Sequence, residues 1–334
     1  MKLSETGEFG LIRLLTGDLA CGRAGVIMGV GDDAAVLAPG QGRWLLYTTD
    51  MMVEGVHFSL AYFTAAQVGK KAMAVNVSDI AAMGGRPAYA VISIALRPDL
   101  PVEAVNDLYA GLKVAAGEYG VAIVGGDTVQ NPERLVINIA LLGEVEAGGA
   151  VYRSGARPGD GVYVTGSLGA AAAGLYICTN PGVVCPPEAA QFCREAHCEP
   201  VPRLAAGQVL AARGVRAMDD ISDGLAAEIH EICGASGTGC RIRAEDVPVD
   251  GRVREVAAAA GVDPLDWALF GGEDFELVFT ADPAASREIG EALGKIGVTV
   301  RRVGEITPAA EGIRVITGDG REKPLPRGGY DHFK

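Results

Sequence analysis

Lysine is scarce in this chain. Only seven of its 29 basic residues are lysine (Lys2, Lys70, Lys71, Lys113, Lys295, Lys323 and Lys334), and the 29 face 42 acidic residues for a net charge of −13. Such a field repels nucleic acid and anionic lipid, and no local basic patch overrides it, so neither is an expected partner. An anionic ligand must be neutralised mostly by arginine, backbone amides or metal ions. Long apolar runs are missing as well: the longest, Ala88 to Leu96, falls well short of the roughly 18 residues of a membrane span. The opening MKLSETGEFGLIRLL carries early acids and no apolar stretch of the signal-peptide kind, which points to a cytoplasmic protein. The seven cysteines (Cys21, Cys178, Cys185, Cys193, Cys198, Cys233 and Cys240) are odd in number and form no CxxC pair, which fits reduced thiols better than a disulfide frame. Those from Cys178 to Cys198, with His197 beside them, match no familiar zinc spacing and read as ordinary helix or loop residues. Only four histidines occur (His57, His197, His230 and His332), none in a defensible Ser-His-Asp arrangement, which weighs against a hydrolase with an activated nucleophile. There is no G-x-x-x-x-G-K-[ST], no G-x-G-x-x-G after the first strand and no H-R-D or D-F-G pair, so a phosphate site here must be unconventional.

What is present is a compact α/β chain. Its 334 residues, 49% hydrophobic and 21% charged, suit two domains at about 150 residues each. The first half alternates β-rich runs with long small-residue helices. Strands are expected at Arg43 to Thr49, Ala88 to Leu96, Val121 to Val124 and Leu135 to Gly143, and helices at Thr64 to Met83 and Pro101 to Tyr119. Thr64 suits a helix cap, and Gly84-Gly85 a stop. The Gly-rich stretch Glu146 to Asp160 breaks the pattern and places the boundary just after Gly143, dividing the chain into units of residues 1–145 and 146–334. The second unit has strand signals at Gly161 to Thr165, Val215 to Met218, Gly239 to Arg243, Phe275 to Thr280 and Val298 to Val303. An Ala-rich helix follows Gly166-Ser167, and further helices are expected at Ser222 to Cys233 and Pro283 to Leu293. A faint echo links NVSDIAAM (Asn76 to Met83) to DISDGLAA (Asp220 to Ala227).

The acidic residues cluster in Gly- or small-residue turns beside apolar runs: GDDAAVL (Gly31 to Leu37), TTD (Thr48 to Asp50), VGGDT (Val124 to Thr128), AMDDISDGL (Ala217 to Leu225) and GGEDFEL (Gly271 to Leu277). Each alone is ordinary turn chemistry, and Ser222-Asp223 an ordinary helix N-cap. Together they deliver carboxylates such as Asp50 and Asp127 to what reads as one edge of a buried sheet. Buried carboxylates demand a partner, and with few lysines nearby the fitting one is a hard divalent cation such as Mg²⁺, which bridges substrate phosphates. Ser222 at a helix start would add free N–H groups for an anion. His57, in VEGVHF, reads equally as a packed turn residue or as a ligand contact.

The ordered set GDDAAVL, TTDMMVEGVHF, AVNVSDIAAMGGRP, VGGDT, RSGARPGD, DISDGL and GGEDFEL, ending in GYDHF, resembles the thiamine-monophosphate kinase family of the aminoimidazole ribonucleotide synthetase superfamily. The resemblance spans nearly the whole chain, from about Glu8 to Phe333. It implies transfer of the ATP γ-phosphoryl group to the phosphate of thiamine monophosphate, giving thiamine diphosphate and ADP. It also implies a homodimer whose N-terminal sheets join into a barrel. The family's metal ligands fall on Asp32, Thr48, Thr49, Asp50, Asp79, Asp127, Asp220 and Asp223, for several Mg²⁺ ions. Its nucleotide contacts fall on Tyr109, Gly126, Asp127, Arg153 and Ser222, and its substrate contacts on His57, Glu273 and Tyr330. In those roles Glu273 suits a cationic thiazolium ring, Tyr330 can stack on rings and Arg153 can pair with phosphate. Tyr109 reads equally as a helix-packing residue and Tyr330 as a C-terminal anchor. The acceptor is itself an anionic phosphate, so no general base is expected. The alternatives are another ATP-dependent enzyme of the superfamily, of the aminoimidazole ribonucleotide synthetase type, and a non-catalytic Mg-nucleotide binding module, which would be expected to have lost acidic ligands.

Overall fold

A computed structural model describes residues 8–16, 24–40 and 42–333; Cys21 lies outside the described residues. A short helix, α1 (Glu8–Thr16), precedes strands β1 (Val26–Met28), β2 (Ala35–Leu37) and β3 (Arg43–Val53). Helix α2 (Ala65–Ala82), strand β4 (Arg86–Leu96), helix α3 (Val102–Tyr119) and strands β5 (Ala122–Gln130) and β6 (Val136–Glu146) complete the first unit. Its six strands run in the order β1-β2-β3-β6-β4-β5, antiparallel except for the parallel pair β4/β5. The second unit contains β7 (Gly161–Thr165), α4 (Ala170–Thr179), α5 (Pro187–Cys198), α6 (Leu204–Ala212), β8 (Ala217–Asp220) and α7 (Leu225–Ser236). It continues through β9 (Thr238–Arg243), α8 (Gly251–Ala260), α9 (Pro264–Phe270), β10 (Leu277–Ala281), α10 (Ser286–Gly294), β11 (Val300–Pro308), β12 (Ile313–Ile316) and β13 (Glu322–Pro324). Its sheet has the order β13-β12-β9-β11-β7-β10-β8, with β9/β12 its parallel pair. The chain is thus a mixed α/β protein with one sheet in each unit. Among the described residues no helix is long and apolar enough to cross a membrane.

Helix α2 organises the centre. Thr64 and Gln67 close a reciprocal capping box at its start, and its Ala- and Val-rich body is buried along nearly its whole length. One side packs on β3 and β6, another on α3, and its C-terminal half on α6 and β8 of the second unit. The crossing with α3 is close because both helices present glycine: a Cβ on Gly69 would sit 2.1 Å from the Leu108 carbonyl oxygen, and one on Gly111 1.9 Å from that of Ala66. Polar side chains in such a helix must face either a partner or a cavity.

Several boundaries differ from the sequence reading, for physical reasons. β3 runs on to Val53 and β5 to Gln130, so Asp50 and Asp127 lie within strands and not at strand ends. The Gly125-Gly126 pair does not break β5; a Cβ at Gly126 would lie 1.9 Å from the Ile92 carbonyl oxygen, so glycine there lets the strand close on β4. β6 extends through Gly143 to Glu146, because its whole length pairs with β3. Ser222 is not a helix cap. Helix α7 starts three residues later behind Gly224, whose φ of 116° is open to glycine, and the Asp223 N–H is already taken by Glu228 Oε1 at 2.9 Å.

Candidate active site

A cavity of about 750 Å³ opens between the two units, lined by residues of the loop before β2, β3, α2, α4, the β8–α7 turn, the loop before β10 and the C-terminal segment. Twelve of the candidate residues line it: Asp32, Thr48, Thr49, Asp50, Asp79, Asp220, Asp223, Arg153, Ser222, His57, Glu273 and Tyr330. α2 contributes one stripe, Lys71, Val75 and Asp79, spaced i, i+4, i+8. That spacing sets Asp79 and Lys71 about 12 Å apart along the axis, so the helix delivers an acid to one end of the cavity and a cation to the other.

The acidic end is crowded. Thr48 Oγ1 donates to Asp79 Oδ2 at 2.5 Å, and Ser78 Oγ donates to Asp220 Oδ2 at 2.5 Å, tying α2 to both sheets. Burial, reinforced by the Asp33 charge, pushes Asp50 up to about 6 and Asp32 and Asp220 up to about 7. Burial and then Glu8 bring Asp223 to about 7, while burial with Asp50, Asp220 and Asp33 raises Asp79 well above the carboxylate range. These carboxyls resist ionisation together because each costs desolvation and repels the next. Sequence reasoning missed two members: Asp33 and Asp219, each the neighbour of a candidate acid. Asp33, Asp219 and Asp220 bring one oxygen each within 4.8 Å of one another. Asp33 Oδ2 and both Asp219 oxygens are buried without a hydrogen bond of good geometry. Arg153 does not stand free: its guanidinium pairs with Asp33, its Nε lies 3.0 Å from Asp219 Oδ2, and its backbone N–H faces Asp32. One arginine against this many carboxylates, with orphaned buried oxygens among them, is a donor set that fits hard divalent cations.

The other end is different. His57 Nδ1 accepts the Val53 N–H at 3.0 Å, and burial with the nearby His332 pushes its pKa below the usual value. Tyr330 and His332 close this side, ring centres 4.8 Å apart, and His332 lies 5.0 Å from His57. Leu175, Tyr176, Trp267 and Phe270 form an apolar wall. Glu273 is held with φ at 69°, and Phe275 with φ at 48°, left-handed conformations that non-glycine residues adopt at a cost of about 1–3 kcal/mol each. The three acids of GGEDFEL do three jobs. Glu273 faces the cavity and Lys71; Asp274 accepts the Gly169 and Ala171 N–H groups at the start of α4; Glu276 is buried against Arg203 and Thr165.

Three candidates are not brought to this cavity. Tyr109 packs partly buried against the N-terminal core. Gly126 and Asp127 lie on the exposed edge strand β5. Through successive register pairs, Asp127 with Ser93, Ser93 with Asn138 and Asn138 with Met51, Asp127 stands three strands from β3, roughly 14 Å at the usual strand spacing.

The sequence matches the family described as AIR synthase related protein, N-terminal domain, over residues 31–145 and the corresponding C-terminal domain over residues 157–316. It is 34% identical over 330 residues to the thiamine-monophosphate kinase of Bacillus subtilis, covering 98% of this chain and 99% of that one. The chain belongs to the thiamine-monophosphate kinase family. Its similarity to the Escherichia coli K12 member is 37% over 330 residues, with 98% of each chain covered. A solved structure of AaThiL complexed with AMPPCP and TMP superposes with a TM-score of 0.86 at 34% identity, covering 99% of both chains. The cavity thus has an acid-rich end and an aromatic end. Its Lys71 and His197, which line the aromatic end, carried no signal in the residue patterns beyond the four-residue spacing of Lys71, Val75 and Asp79.

Proposed function

We propose that the protein is an ATP-dependent phosphotransferase that converts thiamine monophosphate and ATP to thiamine diphosphate and ADP, as its family membership indicates. One observation carries this reading beyond the family: carboxylates of both units converge at one end of a single cavity, and His57, Glu273 and Tyr330 with aromatic walls gather at the other. Asp32, Asp50, Asp79, Asp220 and Asp223, with Thr48 and Thr49, are the residues that would hold Mg²⁺. Bound there, the metal would neutralise the phosphate charge on which in-line phosphoryl transfer depends. Ser222 and Arg153, which line the same cavity, would contact the nucleotide phosphates. His57, its Nδ1 engaged by Val53, carries its neutral-form proton on Nε2 and therefore donates to an anion. The attacking oxygen belongs to a phosphate whose second ionisation lies near pH 6, so it is already anionic at neutral pH and the site requires no general base. Incubating the protein with Mg-ATP and thiamine monophosphate, thiamine or formylglycinamidine ribonucleotide, and resolving products chromatographically, tests this. Thiamine diphosphate from the first alone is expected; turnover of the ribonucleotide instead would identify a ligase of the superfamily.

We also propose a homodimer formed through the N-terminal sheet. The face of β3 and β4 turned away from α2 and α3 exposes Tyr47, Met51, Tyr89 and Val91, and β5 at the edge exposes Val124 and Val129. A soluble sheet with that much apolar surface calls for a cover. A second copy across a two-fold axis would supply it, and Asp127 on the exposed edge strand β5 would then face the interface.

A further inference from the structure

Lys71 has no exposed surface, and a buried ammonium demands compensation. Its Nζ lies 2.7 Å from Glu273 Oε1, 3.4 Å from the His57 carbonyl oxygen and 5.3 Å from the centre of the Phe63 ring. The second Glu273 oxygen lies 3.0 Å from Nδ1 of the buried His197, whose ring meets that of Phe63 edge-on at 5.3 Å. Burial alone would raise the Glu273 carboxyl; Lys71 and His197 together override it and hold the group down at about 2. Burial pushes the His197 pKa below its ordinary value, so its ring is neutral near pH 7.

This corner of the cavity therefore holds one positive and one negative charge and is neutral as a unit. A cationic ring approaching Glu273 meets the ammonium directly behind the carboxylate, and the two Coulomb terms largely cancel. What remains is acceptor capacity. A carboxylate has about four lone-pair sites; Lys71 and His197 stand against one oxygen each, at 2.7 and 3.0 Å, and 26% of the Glu273 side chain is still exposed to the cavity. We propose that Lys71 and His197 are positioning residues that make Glu273 a fixed, charge-compensated hydrogen-bond acceptor, so that this corner selects its substrate by an N–H donor on a heterocycle and not by positive charge. The inference rests on the thiamine-monophosphate kinase reading, and the group it assigns to Glu273 is the amino substituent of the pyrimidine ring.

The test is calorimetric binding of three phosphate esters to the wild-type protein: thiamine monophosphate, an analogue with a neutral thiophene in place of the thiazolium, and an analogue with hydrogen in place of the pyrimidine amine. The neutral-ring ester should bind within about 3-fold of thiamine monophosphate and the des-amino ester at least about 10-fold more weakly, the loss expected for one hydrogen bond to a charged group. Lys71→Met should weaken thiamine monophosphate binding at least about 10-fold, and adding Glu273→Gln should restore it to within about 3-fold, because a neutral amide accepts a hydrogen bond without a counter-charge. A neutral-ring ester at least about 30-fold weaker than thiamine monophosphate, or a des-amino ester bound equally well, overturns the proposal. That ranking decides even where the lysine variant fails to fold. Binding of thiamine monophosphate without formation of thiamine diphosphate would instead fail the kinase reading.

Discussion

His57→Ala separates two accounts of the chemistry. In the structure the ring is half-buried, its Nδ1 accepts the Val53 N–H at 3.0 Å, and burial and His332 keep it neutral at pH 7. With Nδ1 engaged as an acceptor, the remaining proton sits on Nε2, and a neutral imidazole in that tautomer has no free lone pair with which to take a proton. It can only donate. Removing it costs one hydrogen bond to an anionic substrate, about 1.5–2 kcal/mol for a partly exposed site, or roughly 10- to 30-fold in KM. The Val53 N–H loses its acceptor as well, at about 1 kcal/mol of stability. Steady-state kinetics across pH should show KM for thiamine monophosphate raised by that factor, kcat lowered less than about 3-fold, and an acid limb still near the second ionisation of the substrate phosphate at about pH 6. A kcat loss on the order of 10³-fold at unchanged KM, with the acid limb gone, would make His57 a base and refute the reasoning.

The other expectations follow from the same geometry. Asp50→Asn and Asp79→Asn should each lower Mg²⁺-dependent turnover by about 10³-fold or more while the melting temperature without metal stays level or rises, since each takes one ionisable carboxyl out of a crowded buried set; near-normal turnover in both would end the multi-metal reading. If Asp127 serves the neighbouring copy, mixing the inactive Asp50→Asn and Asp127→Asn proteins under subunit exchange should return about a quarter of wild-type activity, because half of the dimers are hybrids with one intact site; no recovery, or a monomer by sedimentation, counts against the shared site. Glu276→Ala should destabilise by about 1.5–3 kcal/mol by taking the charged hydrogen-bond partner from the part-exposed Arg203, while KM and kcat of the folded fraction hold, as chemical denaturation beside kinetics will show. Glu273 is depressed to about 2 in the folded state from 4.5, so its stabilising effect is complete above about pH 4.5 and fades as pH falls toward 2. The stability gap between wild type and Glu273→Gln should accordingly shrink by on the order of 3 kcal/mol between those pH values, and a gap that widened on acidification would contradict the Lys71 pairing.

How far a feature could be read from the sequence tracks the separation of the residues that make it. The cap of α2 was legible because Thr64 and Gln67 are three residues apart and bond to each other, and most strands and helices declared themselves through period and composition. Strand ends were less legible. Asp50 and Asp127 look like turn residues, yet β3 and β5 continue past them because their neighbours β6 and β4 keep pairing, a fact held by residues far off in the chain. The helix expected from Ser222 forms but starts three residues later, for a local reason: Glu228 takes the Asp223 N–H, and Gly224 precedes the first turn.

The motif GGEDFEL shows the limit most clearly. Its spacing gives no hint that Glu273, Asp274 and Glu276 differ, because the difference lies in Lys71, in the N–H groups at the start of α4 and in Arg203. Each partner is between about 70 and 200 residues away, and only the fold brings it near. The scarcity of lysine argued for metal at the acid-rich end, and the orphaned oxygens of Asp33 and Asp219 accord with that. The same scarcity hid the one lysine that α2 aims at the opposite end. A lysine on a buried helix face, four and eight residues before Val75 and Asp79, has no solvent to escape to. Its burial forces an ion pair, and the pair changes what Glu273 can do: a carboxylate that sequence reasoning assigns to a cationic ring is already neutralised before any ligand arrives. Where a charged residue is buried, its function is decided by its counter-ion, and the counter-ion is a property of the fold.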